Sequence, residues 1–211
     1  MRGTLEAAGR RFARLATRAV VARPSLWRLF RGPLRRQFDS LAPSWEGRGG
    51  EEALAPLGAA LARLAGRPRR ALDLGTGTGK AARLVASLFP DAQVVGVDIS
   101  PEMIEEARRL LPSELEGRVT YDVADGAKLP FEDHAFDLVV LQNAIPFFDE
   151  LGRVTAAGGH ALFAFSFGDQ TPIWVPPETL RERLVQVGFE EFEELSAGSG
   201  VALLAVRSDA G

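Results

Sequence analysis

Ala71-Leu72-Asp73-Leu74-Gly75-Thr76-Gly77-Thr78-Gly79-Lys80 reads as an apolar strand that runs into three alternate glycines and then into a helix. A strand-to-helix turn of this kind needs backbone angles closed to other residues, and the missing side chains let a ligand lie against the main chain beside the helix N-terminus. Spacing separates the ligands that such a loop can take. A phosphate-cradling loop needs glycine where Leu74 stands and Ser or Thr where Ala81 stands, so that reading fails. A dinucleotide fingerprint beginning at Gly75 needs a small residue at the position of Lys80, so that reading is weak.

Helices and strands alternate outward from the loop. A helix is expected from about residue 51 to 65, a strand at 71–74, a helix to about 89 and a strand at 93–97, which is a βαβ unit. Ser100 as cap and Pro101 in the first turn open a helix with Met103, Ile104, Ala107, Leu110 and Leu111 on one face, ended by Pro112. Strands at 118–123, 136–141 and 160–167 follow, the last two nearly all apolar, as strands covered on both faces are. A short helix at 148–154, a helix at 177–187 and a hairpin through 198–200 complete the pattern. The fold class expected is α/β: a Rossmann-like, doubly wound, seven-stranded sheet, mostly parallel, with a C-terminal antiparallel hairpin and N-terminal helices.

Four stretches in this order carry a family resemblance. Asp73-Leu74-Gly75-Thr76-Gly77-Thr78-Gly79 resembles the D/E-x-G-x-G-x-G signature of class I S-adenosylmethionine-dependent methyltransferases, in particular the small-molecule, UbiE-like branch. Val94-Val95-Gly96-Val97-Asp98-Ile99-Ser100 ends its strand on an acid suited to both ribose hydroxyls, although that alone would also suit NAD. Val123-Ala124-Asp125-Gly126-Ala127-Lys128-Leu129-Pro130-Phe131 resembles the family's adenine loop. Phe136 to Asn143 and Arg153 to Gly159 resemble its fourth strand and the lead into its fifth, with Thr155 and Ala157 in place of the common Leu and Pro.

The resemblance covers roughly residues 50 to 207. It implies S-adenosyl-L-methionine as cofactor, held by Asp73, Gly75, Thr76, Gly77, Gly79, Asp98, Ile99, Asp125, Gly126 and Asn143. In it Asp73 braces the loop or reaches the ammonium through water, Asp125 accepts from the adenine amino group, and the Gly126 amide faces the ring. Phe38 to Trp45 resembles the segment that lies across the cofactor as a lid. The chain is thereby divided into a basic helical extension and lid, residues 1–48, and a methyltransferase domain, residues 49–211.

Bulk composition is that of an ordinary globular protein, with 46% apolar and 25% charged residues. The absence of cysteine excludes thiol nucleophiles, disulfides and Cys-ligated zinc, and with only two histidines no metal is expected. No apolar run reaches the length of a membrane span, and a cytoplasmic address fits best.

The formal charge of −3 conceals a division: residues 1 to 36 hold ten Arg and one Glu, about +9, leaving about −12 elsewhere. Leu5, Ala8, Phe12, Leu15 and Ala19 recur at helical spacing, so an amphipathic helix is expected over 4–22. A short second helix from Ser25 is expected to stop at Gly32 and Pro33, with 39–50 as loop. The basic segment suits packing on the domain or on a second copy, a nucleic-acid contact, a frayed tail, or peripheral contact with an anionic membrane. Monomer and homodimer both remain open.

Ligands of open α/β sheets sit beyond the carboxyl ends of the strands, which places His134 and His160 at the wrong edge. Asn143 and Asp149 are the first candidates for a catalytic role, with Glu150, Ser166 and Asp169 also near the right edge. Phe38, Trp45, Phe147, Phe148 and Trp174 are expected to line an acceptor pocket, with Ile145, Phe167 and Ile173 nearby. Asn143-Ala144-Ile145-Pro146-Phe147 departs from the D/N-P-P-Y/F sequence of relatives that methylate base or amide nitrogens. The expected reaction is therefore O- or C-methylation of a small, apolar or aromatic acceptor, with nucleic acid disfavoured. The rival reading is a methyltransferase-like binding protein that holds the cofactor without efficient turnover; a nicotinamide oxidoreductase stands third.

Overall fold

The computed structural model describes residues 2–48 and 50–209, with side chains described from Ala7 onward apart from Glu51. The domain boundary expected at Gly49, the chain end at 210–211 and the Leu5 side chain fall outside the described residues.

Seven strands form one sheet: β1 (Arg70–Leu74), β2 (Gln93–Asp98), β3 (Val119–Val123), β4 (Phe136–Gln142), β5 (Thr155–Phe165), β6 (Phe189–Ala197) and β7 (Gly200–Arg207). Their order is β3-β2-β1-β4-β5-β7-β6, parallel as far as β5, with β7 antiparallel to both β5 and β6. The order reverses beside β1, so the crevice beyond the carboxyl ends of β1 and β4 is the topological switch point where ligands of such sheets bind.

Alternation along the strands feeds two cores. Leu138 and Val140 of β4 face α3 (Ala55–Leu61), α4 (Lys80–Leu88) and α5 (Pro101–Arg109). Val139 and Leu141 face α6 (Phe148–Val154) and α7 (Pro177–Val185). Each fully buried Leu or Phe contributes roughly 1.5–3 kcal/mol, so both faces of the sheet are strongly held. Ser100 caps α5 by accepting from the Met103 amide at 3.2 Å, with Pro101 in the first turn, as the sequence implied.

The N-terminal part departs from expectation twice. First, α1 (Arg2–Ala22) buries a face of small residues, Ala13, Ala16, Thr17 and Val20, and leaves Leu15 in solvent. Small residues let the helix approach the body closely; the anticipated stripe through Leu15 is not the buried one.

Second, α2 runs without interruption from Trp27 to Trp45, through Gly32, Pro33 and Pro43, where a short helix and a loop were expected. An internal proline removes one backbone hydrogen bond and costs about 3 kcal/mol. Burial of Trp27, Leu34 and Ala42 along the same helix offsets that loss. A third core of Ala13, Ala16, Val20, Trp27 and Leu34 against Ile145 and Ile173 fixes both helices over the carboxyl edge of the sheet.

Candidate functional site: a roofed cleft at the carboxyl edge

The loop after β1 is held by its own acid. Asp73 Oδ2 accepts from the Thr76 hydroxyl at 2.6 Å and the Ala82 amide at 2.9 Å, tying the turn to the first turn of α4. Burial pushes the Asp73 carboxyl up to about 6, although both hydrogen bonds pull the other way. Its Oδ1 is buried without a protein partner.

Gly75, Gly77 and Gly79 all take positive φ, at 76°, 52° and 83°. A Cβ on Gly75 would lie 2.6 Å from that of Ala144, so the turn needs both the left-handed backbone and the missing side chain.

Asp98 ends β2 with one carboxylate oxygen on each neighbouring loop: Oδ2 accepts from the Gly77 amide at 3.0 Å and Oδ1 from the Ser100 amide at 2.9 Å. Burial raises it too to about 6 against the pull of those amides. Beyond β4, Asn143 takes a left-handed φ of 54°. Its amide group exchanges two hydrogen bonds with Ser166, donating from Nδ2 at 2.8 Å and accepting the Ser166 amide at 3.0 Å. Asn143 thus pins β4 to the residue beyond β5. Ser166 in turn donates to the Ala53 carbonyl at 2.9 Å and accepts from Gln142 at 2.7 Å. The Gln142 Oε1 is buried without a protein partner.

Helix α2 crosses this edge and grips the loops after all three strands. Trp27 Nε1 donates to Asp125 Oδ1 at 2.6 Å and Arg31 lies 3.5 Å from Oδ2. Asp39 accepts from the Ser100 hydroxyl at 2.6 Å. The Trp45 Nε1 sits 3.0 Å from where a Gly77 Cβ would be, and Glu46, just past the helix, accepts from Thr78 at 2.6 Å and Arg83 at 2.8 Å.

Under this roof lies a cavity of about 370 Å³. Gly75, Thr76, Gly77, Asp98, Ile99, Gly126, Asn143, Phe38, Trp45 and Phe147 line it together, as do Ile145, Ser166, Phe167 and Ile173.

Other expected site residues stand outside the cavity wall. Asp73 and Gly79 lie behind the loop, and Asp125 is turned to α2. Phe148 is buried in the sheet core, and Trp174 packs against Phe165 with ring centroids 4.8 Å apart. Asp149 is exposed on α6, while Glu150 is paired with Arg153 at 2.7 Å and accepts the Leu129 amide. His134 and His160 sit at the far edge, before β4 and within the first half of β5. Sequence reasoning missed Trp27, Leu34, Gln37 and Leu41 on α2, and Gln142 on β4. Leu34, Phe38 and Leu41 do repeat at helical spacing, a signal hidden behind the assumption that Pro33 ends the helix.

Residues 71–159 match the family model of a methyltransferase domain. Over these residues the chain is similar to methyltransferases. Ajmaline N-methyltransferase of Rauvolfia serpentina is 39% identical over 100 residues, 44% of this chain and 34% of that protein. Malonyl-[acyl-carrier protein] O-methyltransferase of Halorhodospira halophila is 38% identical over 122 residues, 54% of this chain and 38% of that protein. The aligned segments thus span under two fifths of either relative's length. A crystal structure of a SAM-dependent methyltransferase from Aquifex aeolicus shares the fold at a TM-score of 0.63 and 16% identity, covering 82% of this chain and 98% of the other. The methyltransferase match begins at Ala71, so α1 and α2, which supply the roof, lie outside it.

Proposed function

We propose that the chain is an S-adenosylmethionine-dependent methyltransferase acting on an acidic oxygen or carbon of a small, mainly apolar acceptor. The observation that carries this reading is the continuity of the cleft. One cavity joins Gly75, Gly77 and Asp98 to an apolar chamber of Leu34, Phe38, Leu41, Ile145 and Ile173. A polar, backbone-lined donor half meeting an apolar acceptor half is what methyl transfer between two bound molecules needs.

The residues fit the cofactor. Asp98 has further acceptor capacity for ribose hydroxyls, and the orphaned Gln142 Oε1 offers an acceptor to an ammonium. Gly126 brings bare backbone to the adenine end, where a Cβ would lie 2.9 Å from the Phe147 ring. Asp73 braces the loop, and Asp125, held toward α2 by Trp27 and outside the cavity wall, would meet an adenine amino group more readily once Trp27 releases it. When bound, S-adenosyl-L-methionine supplies a sulfonium-borne methyl group for in-line displacement. The chain contributes position and water exclusion: Phe38, Trp45 and Phe147 close the chamber, while Asn143 and Ser166 fix its floor.

The relatives named above include one N- and one O-methyltransferase, and the charges of the cavity favour oxygen or carbon here. Among its described lining residues the sole acid is Asp98, against the cations Arg10, Arg48 and Lys80. A protonated amine would gain no counterion in the acceptor half; a phenol, enol or carboxylic acid would. Calorimetry should show binding of S-adenosylhomocysteine and none of NAD. Methyl incorporation should then be found with a quinol, a phenol or a medium-chain carboxylic acid. Turnover on an amine or a polynucleotide with none of these would overturn the acceptor class, and binding without any turnover would make the chain a cofactor-holding protein.

A further inference from the structure

We propose that the outer face of the α1–α2 roof docks on an anionic lipid bilayer. Among the described residues the two most exposed large apolar side chains are Leu29 at 63% and Leu15 at 61%, and both stand on this roof. Ala8, Arg11, Leu15, Arg18 and Ala22 are all exposed and share one stripe of α1 at three- and four-residue spacing. Arg28, Leu29, Arg31, Arg35 and Arg36 are exposed on α2, and the Phe12–Phe30 contact, with centroids 6.0 Å apart, joins the two helices.

Arg31 and Arg35 of this face reach Asp125 and Asp39. The side chains of Arg11, Arg18, Arg23 and Arg28 have neither an ion pair nor a hydrogen bond among the described residues. Between Ala7 and Trp45 the only acid is Asp39, which is taken by Ser100 and Arg35. Unpaired guanidinium groups around exposed leucines match the headgroup and upper acyl layers of a bilayer carrying anionic lipid. The remaining chain, at about −12, is repelled by the same surface, so only the roof can face it.

Other occupants fit less well. A symmetric dimer through this face would set arginines against arginines, and a polynucleotide would leave Leu15 and Leu29 without an apolar partner. No helix among the described residues is long and apolar enough to cross a membrane, so contact would be peripheral. The proposal rests on this surface alone and holds whether or not the cleft transfers methyl groups.

The test is flotation of the full chain with vesicles of phosphatidylcholine alone or mixed with phosphatidylglycerol, beside a binding titration with polyuridylate. Capture is expected on the phosphatidylglycerol vesicles only, and should fall as salt is raised. The triple variant Arg11→Gln, Arg18→Gln, Arg28→Gln should lower partitioning about a hundredfold, since each basic residue near such a surface contributes about fivefold. Leu15→Ser with Leu29→Ser should lower it about tenfold. Circular dichroism and the thermal midpoint verify that both variants fold. No capture of the unmodified chain, or equal capture of the folded triple variant, would overturn the proposal. So would a leucine variant that floats like the unmodified chain while polyuridylate binds more tightly than vesicles.

Discussion

The donor wall of the cleft and its roof are held by different means. On the wall, Asp73 and Asp98 accept from backbone amides at Ala82, Gly77 and Ser100, so the loops are fixed through main chain. On the roof, Trp27, Asp39 and Trp45 of one helix each reach a different loop through a side chain. A wall set by backbone tolerates little variation and suits a constant ligand, whereas a roof set by side chains can be rebuilt without disturbing the sheet. The difference fits the proposed placement of the donor at the wall and of the acceptor under the roof.

The wall should be the more sensitive of the two. Asp98→Asn is expected to weaken S-adenosylhomocysteine binding about a hundredfold by calorimetry, because two hydrogen bonds to a charged acceptor are reduced to bonds with a neutral amide. An affinity within threefold of the unmodified chain would remove Asp98 from the binding surface. Protonation should act in the same direction. With Asp98 raised to about 6, the folded free protein takes up a proton between about pH 4 and 6, and its stability contribution is fully present below that window and lost as pH rises through it. A ligand that needs the ionised carboxylate therefore binds well above about pH 6 and loses up to about tenfold per pH unit below. Asp98→Asn should flatten that profile, and Asp73, raised by the same burial, should leave a smaller residual slope.

Changes in the roof should be smaller and of the opposite sign. Trp27→Phe keeps the ring against Phe147 but removes the N–H that occupies Asp125, so the adenosyl ligand should bind about fivefold more tightly and faster in stopped flow. Weaker binding would mean that the Trp27 contact belongs to the ligand-bound state. Ser166→Ala, at the junction of wall and floor, should lower stability by about 1 kcal/mol and turnover several-fold with little change in cofactor affinity.

The wall was readable from the chain because its devices are local. A glycine at positive φ, an acid two residues before it and an acid closing the next strand each leave their mark in a short stretch of chain. The mostly parallel sheet with its C-terminal antiparallel hairpin likewise follows from alternating apolar runs and the chain reversal through Gly198. The roof was not readable, for two physical reasons. Pro33 announces a helix end, yet α2 continues because Leu34 and Ala42 bury themselves on the other side of it. On α1 the large apolar residues suggested the buried face, yet close approach to the body selected alanines and Thr17. Asp125 shows the same limit at one residue. Its place in the loop is legible, whereas its capture by Trp27, 98 positions away, depends on packing that no local pattern encodes.

The guanidinium groups of Arg10 and Arg14 end on main-chain oxygens of Asp169, Gln170 and Thr171, at 2.9 to 3.3 Å. That turn continues into Thr171, Pro172 and Ile173, a side of the cavity far in sequence from the first helix. Shortening the protein from its amino end would therefore reshape that side of the cavity, even though every residue of the glycine loop survived. Under the proposed function, acceptor preferences measured without residues 1–22 would differ from those of the chain that carries them.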